Sequence, residues 1–189
     1  ALDTEAVYPF GLRFTHSEIL DALDFRKFEV RQSDDRSITF VLRIEDALEV
    51  TKKFALNGKS HVLNVDVTYT NLETGARILG RDLEPAYTMN WGPGIFSPNN
   101  SRLFQPSVLW NPNGASEPDK EYIKDFPELG EPVLSQRVVD VDWIGHRSKY
   151  FLAAMRDGND EGTVDGWYSG TQESVRFGVS VPRFEVGAQ

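Results

Sequence analysis

The sequence predicts an all-β protein in which two large antiparallel sheets pack face to face. Apolar and polar residues alternate with a period of two along most of the chain, as they do in half-buried strands. Clusters of Gly, Pro, Asn and Asp separate the alternating runs, and almost no segment has helical spacing. The length of 189 residues fits one domain that buries a core of its own.

A β-hairpin is predicted where two alternating runs flank Asn57-Gly58-Lys59-Ser60. In residues 62–71 the apolar side chains fall on every second position. In residues 48–56 they do the same, except that Lys52 lies on the apolar face. Because Asn-Gly readily adopts the positive φ angles that tight turns need, this hairpin is the firmest local prediction.

The other strands are predicted from the same alternation, and one short helix is predicted at Ser17–Leu23, with Ser17 as its cap. Residues 91–100 form a loop rich in aromatic residues, Pro and Gly. Residues 111–132 hold four prolines and are predicted as a long surface excursion. The further predicted strands are 25–31, 37–43, 77–90, 102–110, 134–142, 149–156 and 172–181.

Composition excludes several classes of function. The chain has no Cys, which excludes thiol nucleophiles, Cys-ligated metals and disulfides. Asp and Glu number 29 against 20 Lys and Arg, a net charge of −9, so the chain repels nucleic-acid phosphates and bare anionic membranes. No apolar stretch reaches the roughly 18 residues of a membrane span.

No catalytic signature is visible in the sequence. His16, His61 and His146 are not at the spacing of metal ligands. Gly166-Trp167-Tyr168-Ser169-Gly170 has the letters of a nucleophile elbow at the wrong spacing. No phosphate-binding glycine loop is present, so the sequence predicts no catalytic residue and no cofactor.

One acidic segment has the start of a calcium loop. Oxygen-bearing side chains recur at Asp157, Asn159, Glu161 and Asp165, but the twelfth position is Tyr168 where a bidentate Glu is required. A polar connection between strands, in which Asp, Asn and Gly are the usual residues, is the alternative interpretation and the favoured one.

Three segments together resemble the large periplasmic domain of the YidC/Oxa family of bacterial membrane protein insertases. The most specific, Asp142 to Met155, is similar to the family's Trp-(Ile/Val)-Gly…Lys-Tyr-Phe-(Leu/Ala)-x-Ala stretch. Asn90 to Ile95 is similar to its Trp-Gly-Pro-Gly segment, and Leu48 to Asn71 resembles its paired strands. The segments occur in the family's order. The chain departs from the family at Asp157-Gly158, where a proline is common.

The resemblance implies a β-supersandwich related to galactose mutarotases, with at most one or two short helices. It implies that residues 1–189 are one periplasmic domain, excised from a longer multi-pass protein of the bacterial inner membrane and lacking its last elements. The domain would be a non-catalytic accessory to an insertase. Its expected partners are Sec translocon components and membrane-protein substrates, and its membrane attachment would lie in helices outside this chain.

A candidate partner-contact loop consists of Trp91, Gly92, Pro93, Gly94, Ile95 and Phe96, because loops on rigid scaffolds often carry function. The alternative is that Trp91 is buried and Gly-Pro-Gly only shapes a turn.

Two other functions stay open. One is a carbohydrate- or peptide-binding sandwich, which requires tryptophans exposed in one groove. The other is a mutarotase-type sugar epimerase, in which a histidine meets a carboxylate such as Glu84 or Asp142.

Overall fold

A computed structural model describes residues 9–15, 26–58, 60–92, 106–158 and 164–187. Within these ranges the chain is all-β, as predicted, and its antiparallel sheets pack in a sandwich-like arrangement. The only helical turn in the described part of the chain is the short 3₁₀ turn Ile123–Asp125. The predicted helix at Ser17–Leu23 lies outside the described residues.

The smaller of the two main sheets is a meander of four strands that follow one another in sequence. Its third and fourth strands pair from Leu48 with Asn71 to Leu56 with Leu63, which confirms the predicted hairpin. The strands are β2 (Glu29–Ser33), β3 (Ser37–Ile44), β4 (Leu48–Leu56) and β5 (Leu63–Asn71).

The turn of this hairpin differs from the expectation. The connection spans residues 57–62, and φ of Gly58 lies outside the left-handed region. A Cβ on Gly58 would lie 2.5 Å from a guanidinium nitrogen of Arg36. The glycine therefore makes room for the arginine rather than supplying a positive φ.

The larger sheet has eight strands. Along its hydrogen-bonded path the order is β1, β7, β13, β12, β10, β8, β9, and β11 pairs with β10. These strands are β1 (Gly11–Phe14), β7 (Tyr87–Trp91), β8 (Ser107–Pro112), β9 (Asp119–Tyr122), β10 (Leu134–Arg147), β11 (Leu152–Met155), β12 (Val164–Gly170) and β13 (Val175–Val181).

Strand β10 carries a β-bulge between Val138 and Val141. Asp140, inside the bulge, has a φ of 57°, a conformation that Asp tolerates better than most residues. The Asp165 carboxylate accepts a hydrogen bond from the Asp140 backbone N–H at 3.2 Å and one from Nε of Arg137 at 3.1 Å. One side chain of β12 therefore fixes the geometry of the bulge on β10.

Two apolar clusters form the core. The first joins the small sheet to the β1–β7 end of the large sheet, and the second lies on the remaining part of the large sheet. The first cluster includes Leu12, Phe14, Leu42, Ile44, Leu48, Val50 and Tyr87; the second includes Val108, Ile123, Phe126, Ile144, Tyr168, Val175 and Phe177.

Lys52 is buried at the edge of the first cluster, on the apolar face where the sequence placed it. Its ammonium donates a hydrogen bond to the carbonyl oxygen of Phe10 at 3.0 Å and lies 4.7 Å from the centre of the Phe28 ring. A buried ammonium needs such partners, because an unsatisfied charge in an apolar core is costly. The lysine thereby ties the small sheet to the residues that precede β1.

The prediction of one strand at 77–90 is wrong. Residues Arg77–Leu79 form β6, which pairs with β14 (Phe184–Val186) in a separate two-stranded sheet. The chain then turns before β7. Gly80, with a φ of 91°, lets the backbone pass so close to Ala86 that a Cβ would lie 2.8 Å from its Cα.

The prediction of a surface excursion at 111–132 is also wrong in part. This stretch contains β9 and the 3₁₀ turn, which places Ile123 and Phe126 in the second core cluster. The strand β12 was not predicted from the sequence.

We expect Gly145→Ala to destabilise the fold by about 2 kcal/mol, because its Cβ would overpack the contact between β10 and β11. The new atom would lie 2.5 Å from the carbonyl oxygen of Ala153 and 3.0 Å from the Cα of Ala154, so β11 must move. Urea unfolding of Gly145→Ala and of the matched control Gly158→Ala checks this expectation. A Cβ at Gly158 meets nothing within 4 Å. Equal stabilities of the two variants would contradict it.

Candidate functional site

The β10–β11 hairpin is the segment in which the sequence resemblance is most specific. Arg147 pairs with Leu152 at its end, and the turn is closed by the Ser148 backbone N–H, which donates to the carbonyl oxygen of Phe151 at 2.8 Å. The Phe151 N–H donates to Oγ of Ser148 at 3.2 Å. The turn therefore lies at 148–151, whereas the sequence analysis placed His146 in a turn; His146 is in the strand.

Three consecutive large apolar side chains are exposed at this turn. Tyr150 is 71%, Phe151 61% and Leu152 55% exposed. The ammonium of Lys149 lies 5.0 Å from the centre of the Tyr150 ring, a cation–π distance. Single exposed apolar residues are common, but three in a row on a hydrogen-bonded turn form a patch that suits an interaction site. We call residues Ser148–Leu152 the β10–β11 hairpin end.

A second exposed apolar patch lies at the connection of β4 to β5. Leu56 and Leu63 are directly opposite each other, and both are exposed together with Val62. Strand β5 is the last strand of the small sheet, and its recorded pairing in the described part of the chain is with β4. We call residues Leu56–Leu63 the β4–β5 hairpin end. Unpaired strand edges beside apolar side chains are sites where extended segments bind.

The predicted contact loop falls only partly within the described residues. Trp91 ends β7, is half-buried against the second core cluster, and meets the Phe10 ring edge-to-face at 5.1 Å between centroids. A Cβ on Gly92 would lie 3.1 Å from Cβ of Arg176. These contacts favour a packing role for Trp91 and Gly92. Pro93, Gly94, Ile95 and Phe96 lie outside the described residues, so the contact loop stays a prediction.

The calcium-loop lookalike is likewise only partly described. Asp165 uses its carboxylate on Arg137 and on the Asp140 backbone, as described above for the bulge. Asp157 is described, whereas Asn159 and Glu161 are outside the described ranges. Across those ranges, no group of three or more His, Asp or Glu side chains could hold a metal ion.

His146 is the most perturbed titratable group near the candidate site. It is 2% exposed and lies opposite Val108 and Ala153 on the neighbouring strands. Neither ring nitrogen has a hydrogen-bond partner among the residues that the structure describes. Burial lowers the pKa of His146 to about 4, because the charged form loses its hydration. The ring is therefore neutral at physiological pH.

The structure does not bring a histidine and a carboxylate together as a sugar epimerase requires. His146 is in the core, whereas Asp142 is exposed and accepts a hydrogen bond from Nδ2 of Asn111 at 3.0 Å. His61 and Glu84 are exposed, and His16 lies outside the described residues. A catalytic pair needs mutual geometry first, so these residues do not favour an epimerase.

The four tryptophans do not line one groove. Trp91 and Trp110 pack on the second core cluster, and Trp110 stacks on Tyr168 at 5.5 Å between ring centres. Trp143 and Trp167 alternate along their strands with core residues, so they point to the opposite face of the large sheet. All four are half-buried. A common sugar-stacking platform is therefore not favoured.

Neither hairpin end was singled out from the sequence. The run Tyr150-Phe151-Leu152 was assigned to a strand at 149–156, in which alternating burial would be expected. Its lack of polar alternation was the available signal, since three successive apolar residues cannot all face one side of a sheet.

Comparison with known proteins gives no relatives. No protein-family model matches the chain, and no curated protein matches it. In the described part of the chain, no helix is long and apolar enough to cross a membrane.

We expect His146 to make the fold less stable in acid. Its pKa rises from about 4 in the folded chain to the ordinary 6.5 on unfolding, so the unfolded state takes up a proton that the folded state does not. The resulting stability is complete above pH 6.5 and is lost as the pH falls towards 4. The loss approaches about 3 kcal/mol.

Urea unfolding across this pH range measures the effect in the unmodified chain and in His146→Leu. The variant should lose the part of the pH slope due to His146, whereas His61→Gln, which changes an exposed histidine, should retain it. Identical slopes for all three proteins would show that His146 is not held neutral by the fold.

Proposed function

We propose that this chain is a non-catalytic accessory domain of a membrane protein insertase of the YidC/Oxa family. In this proposal the domain lies on the periplasmic face of the bacterial inner membrane. It contacts emerging membrane-protein segments or components of the Sec translocon. The three sequence segments that resemble the family, in the family's order, support this assignment.

The observation that carries the proposal is the surface chemistry of those segments. Asp142 to Met155 contains the β10–β11 hairpin end, and Leu48 to Asn71 contains the β4–β5 hairpin end. In both, large apolar side chains lie on the surface, where they add nothing to the core. An accessory domain that holds or docks other proteins gives these side chains a purpose that folding does not.

The β4–β5 hairpin end is the surface that best suits an extended apolar segment. Leu56, Val62 and Leu63 form an apolar patch beside the edge of β5. A segment added along that edge would satisfy its backbone groups through the strand and place its side chains on the patch. This mode of binding does not depend on one sequence, which suits a domain that meets many substrates.

Site-specific photo-crosslinking in cells tests this proposal. A photoreactive residue at position 63 should form adducts with nascent inner-membrane proteins or with Sec subunits. The same residue at Glu117, which is exposed on the connection between β8 and β9, should not.

The variant Leu63→Asp should reduce crosslinking from position 62 by about tenfold, if burial of one leucine contributes about 1.5 kcal/mol. Adducts only with secreted proteins or peptides would point to a free peptide-binding module instead. Equal labelling from positions 63 and 117 would overturn the proposed contact.

A further inference from the structure

The β10–β11 hairpin concentrates positive charge in an acidic chain. Between Trp143 and Arg156 the sequence has three cationic residues and no Asp or Glu, although the whole chain carries a net charge of −9. The cations are Arg147, Lys149 and Arg156. Net charge alone therefore misrepresents this part of the surface.

The fold adds two more cations at the same end of the large sheet. Arg147 lies opposite Ser107 on β8, which lies opposite Tyr122 on β9. With strands spaced about 4.8 Å apart, Tyr122 is about 10 Å from Arg147. The ammonium groups of Lys120 and Lys124 lie 5.3 and 5.7 Å from the centre of the Tyr122 ring. Glu121 and Asp125 are the acids that alternate with these lysines.

The apolar residues at this end project as a wedge. Tyr150, Phe151 and Leu152 follow one another at the turn and are exposed by more than half. Aromatic residues flanked by Lys and Arg are typical of segments that lie at the boundary between lipid headgroups and acyl chains. The cations reach phosphate groups while the rings enter the apolar layer.

We propose that the β10–β11 hairpin end docks this protein on an anionic phospholipid surface. Tyr150, Phe151 and Leu152 enter the interface, and Lys149, Arg147 and Lys124 meet the lipid phosphates. The acidic remainder of the chain is repelled by the same surface, which leaves a small footprint centred on this hairpin. A wedge on a narrow hairpin suits a deformable bilayer better than the flat, broad contact of a typical protein partner.

Flotation of the chain with lipid vesicles tests the proposal. Binding is expected to phosphatidylcholine vesicles that contain about one quarter phosphatidylglycerol, and it should weaken as salt is raised. Tyr150→Ser with Phe151→Ser should lower the partition constant by tenfold or more, since each ring buries apolar area in the interface. Lys149→Gln should lower it by about fivefold.

Matched controls change the same chemistry elsewhere on the surface. Leu83→Ser removes an almost fully exposed apolar side chain, and Lys53→Gln removes an exposed ammonium on the small sheet. Both should bind vesicles as the unmodified chain does. Far-ultraviolet circular dichroism and thermal unfolding establish that each variant is folded, which is expected because every altered side chain is exposed.

Three outcomes would overturn the proposal. The first is no binding to the anionic vesicles, and the second is equal binding to pure phosphatidylcholine. The third is vesicle binding that the hairpin variants leave unchanged; crosslinks from position 151 to an acidic protein would then identify a protein partner instead. Because the assay contains no other protein, it can fail while the crosslinks from position 63 succeed, and the reverse.

Discussion

The pairing of strand β10 with three neighbours is the constraint on which the rest of the structure depends. Its first half pairs with β12, its second half pairs with β11, and β8 runs along its opposite edge. The bulge at Val138–Val141 lies where the pairing with β12 ends. An extra residue increases the local twist and bends the strand, which lets one strand serve two different partners along the same edge. Asp165 holds that bend, and the second core cluster packs beside it.

The parts of the fold that could be predicted from the sequence are those with one wet face and one buried face. Strands β4 and β5 were predicted within a residue of their observed bounds, because the small sheet buries only one side. Strand β12 was missed because Gly166 and Gly170 look like turn residues. A Cβ on Gly166 would lie 3.0 Å from Cγ2 of Val138 and 3.1 Å from Cδ1 of Ile144, so that glycine serves packing between strands. Such a requirement depends on partners that the sequence does not name.

The candidate surfaces were less predictable than the strands for a related reason. Whether an apolar residue such as Leu63 or Phe151 is buried depends on where its sheet ends, and sheet edges are set by non-local pairing. Whole-chain charge was misleading in the same way. Charges act over about 8 to 10 Å at physiological salt, so the side chains around a patch determine its potential. By contrast, Lys52 was noticed as an exception from sequence alone, and the structure gives it a buried role between the small sheet and Phe10.

The strand order also determines when each sheet can close as the chain is made. All four strands of the small sheet lie between residues 29 and 71, and each pairs with its neighbour in sequence. In the large sheet, β7 sits between β1 and β13, so residues 87–91 meet residues 175–181. A chain that emerges from its amino end can therefore complete the small sheet early. The large sheet has to wait for almost the last strand, and until then β7 lacks one of its neighbours.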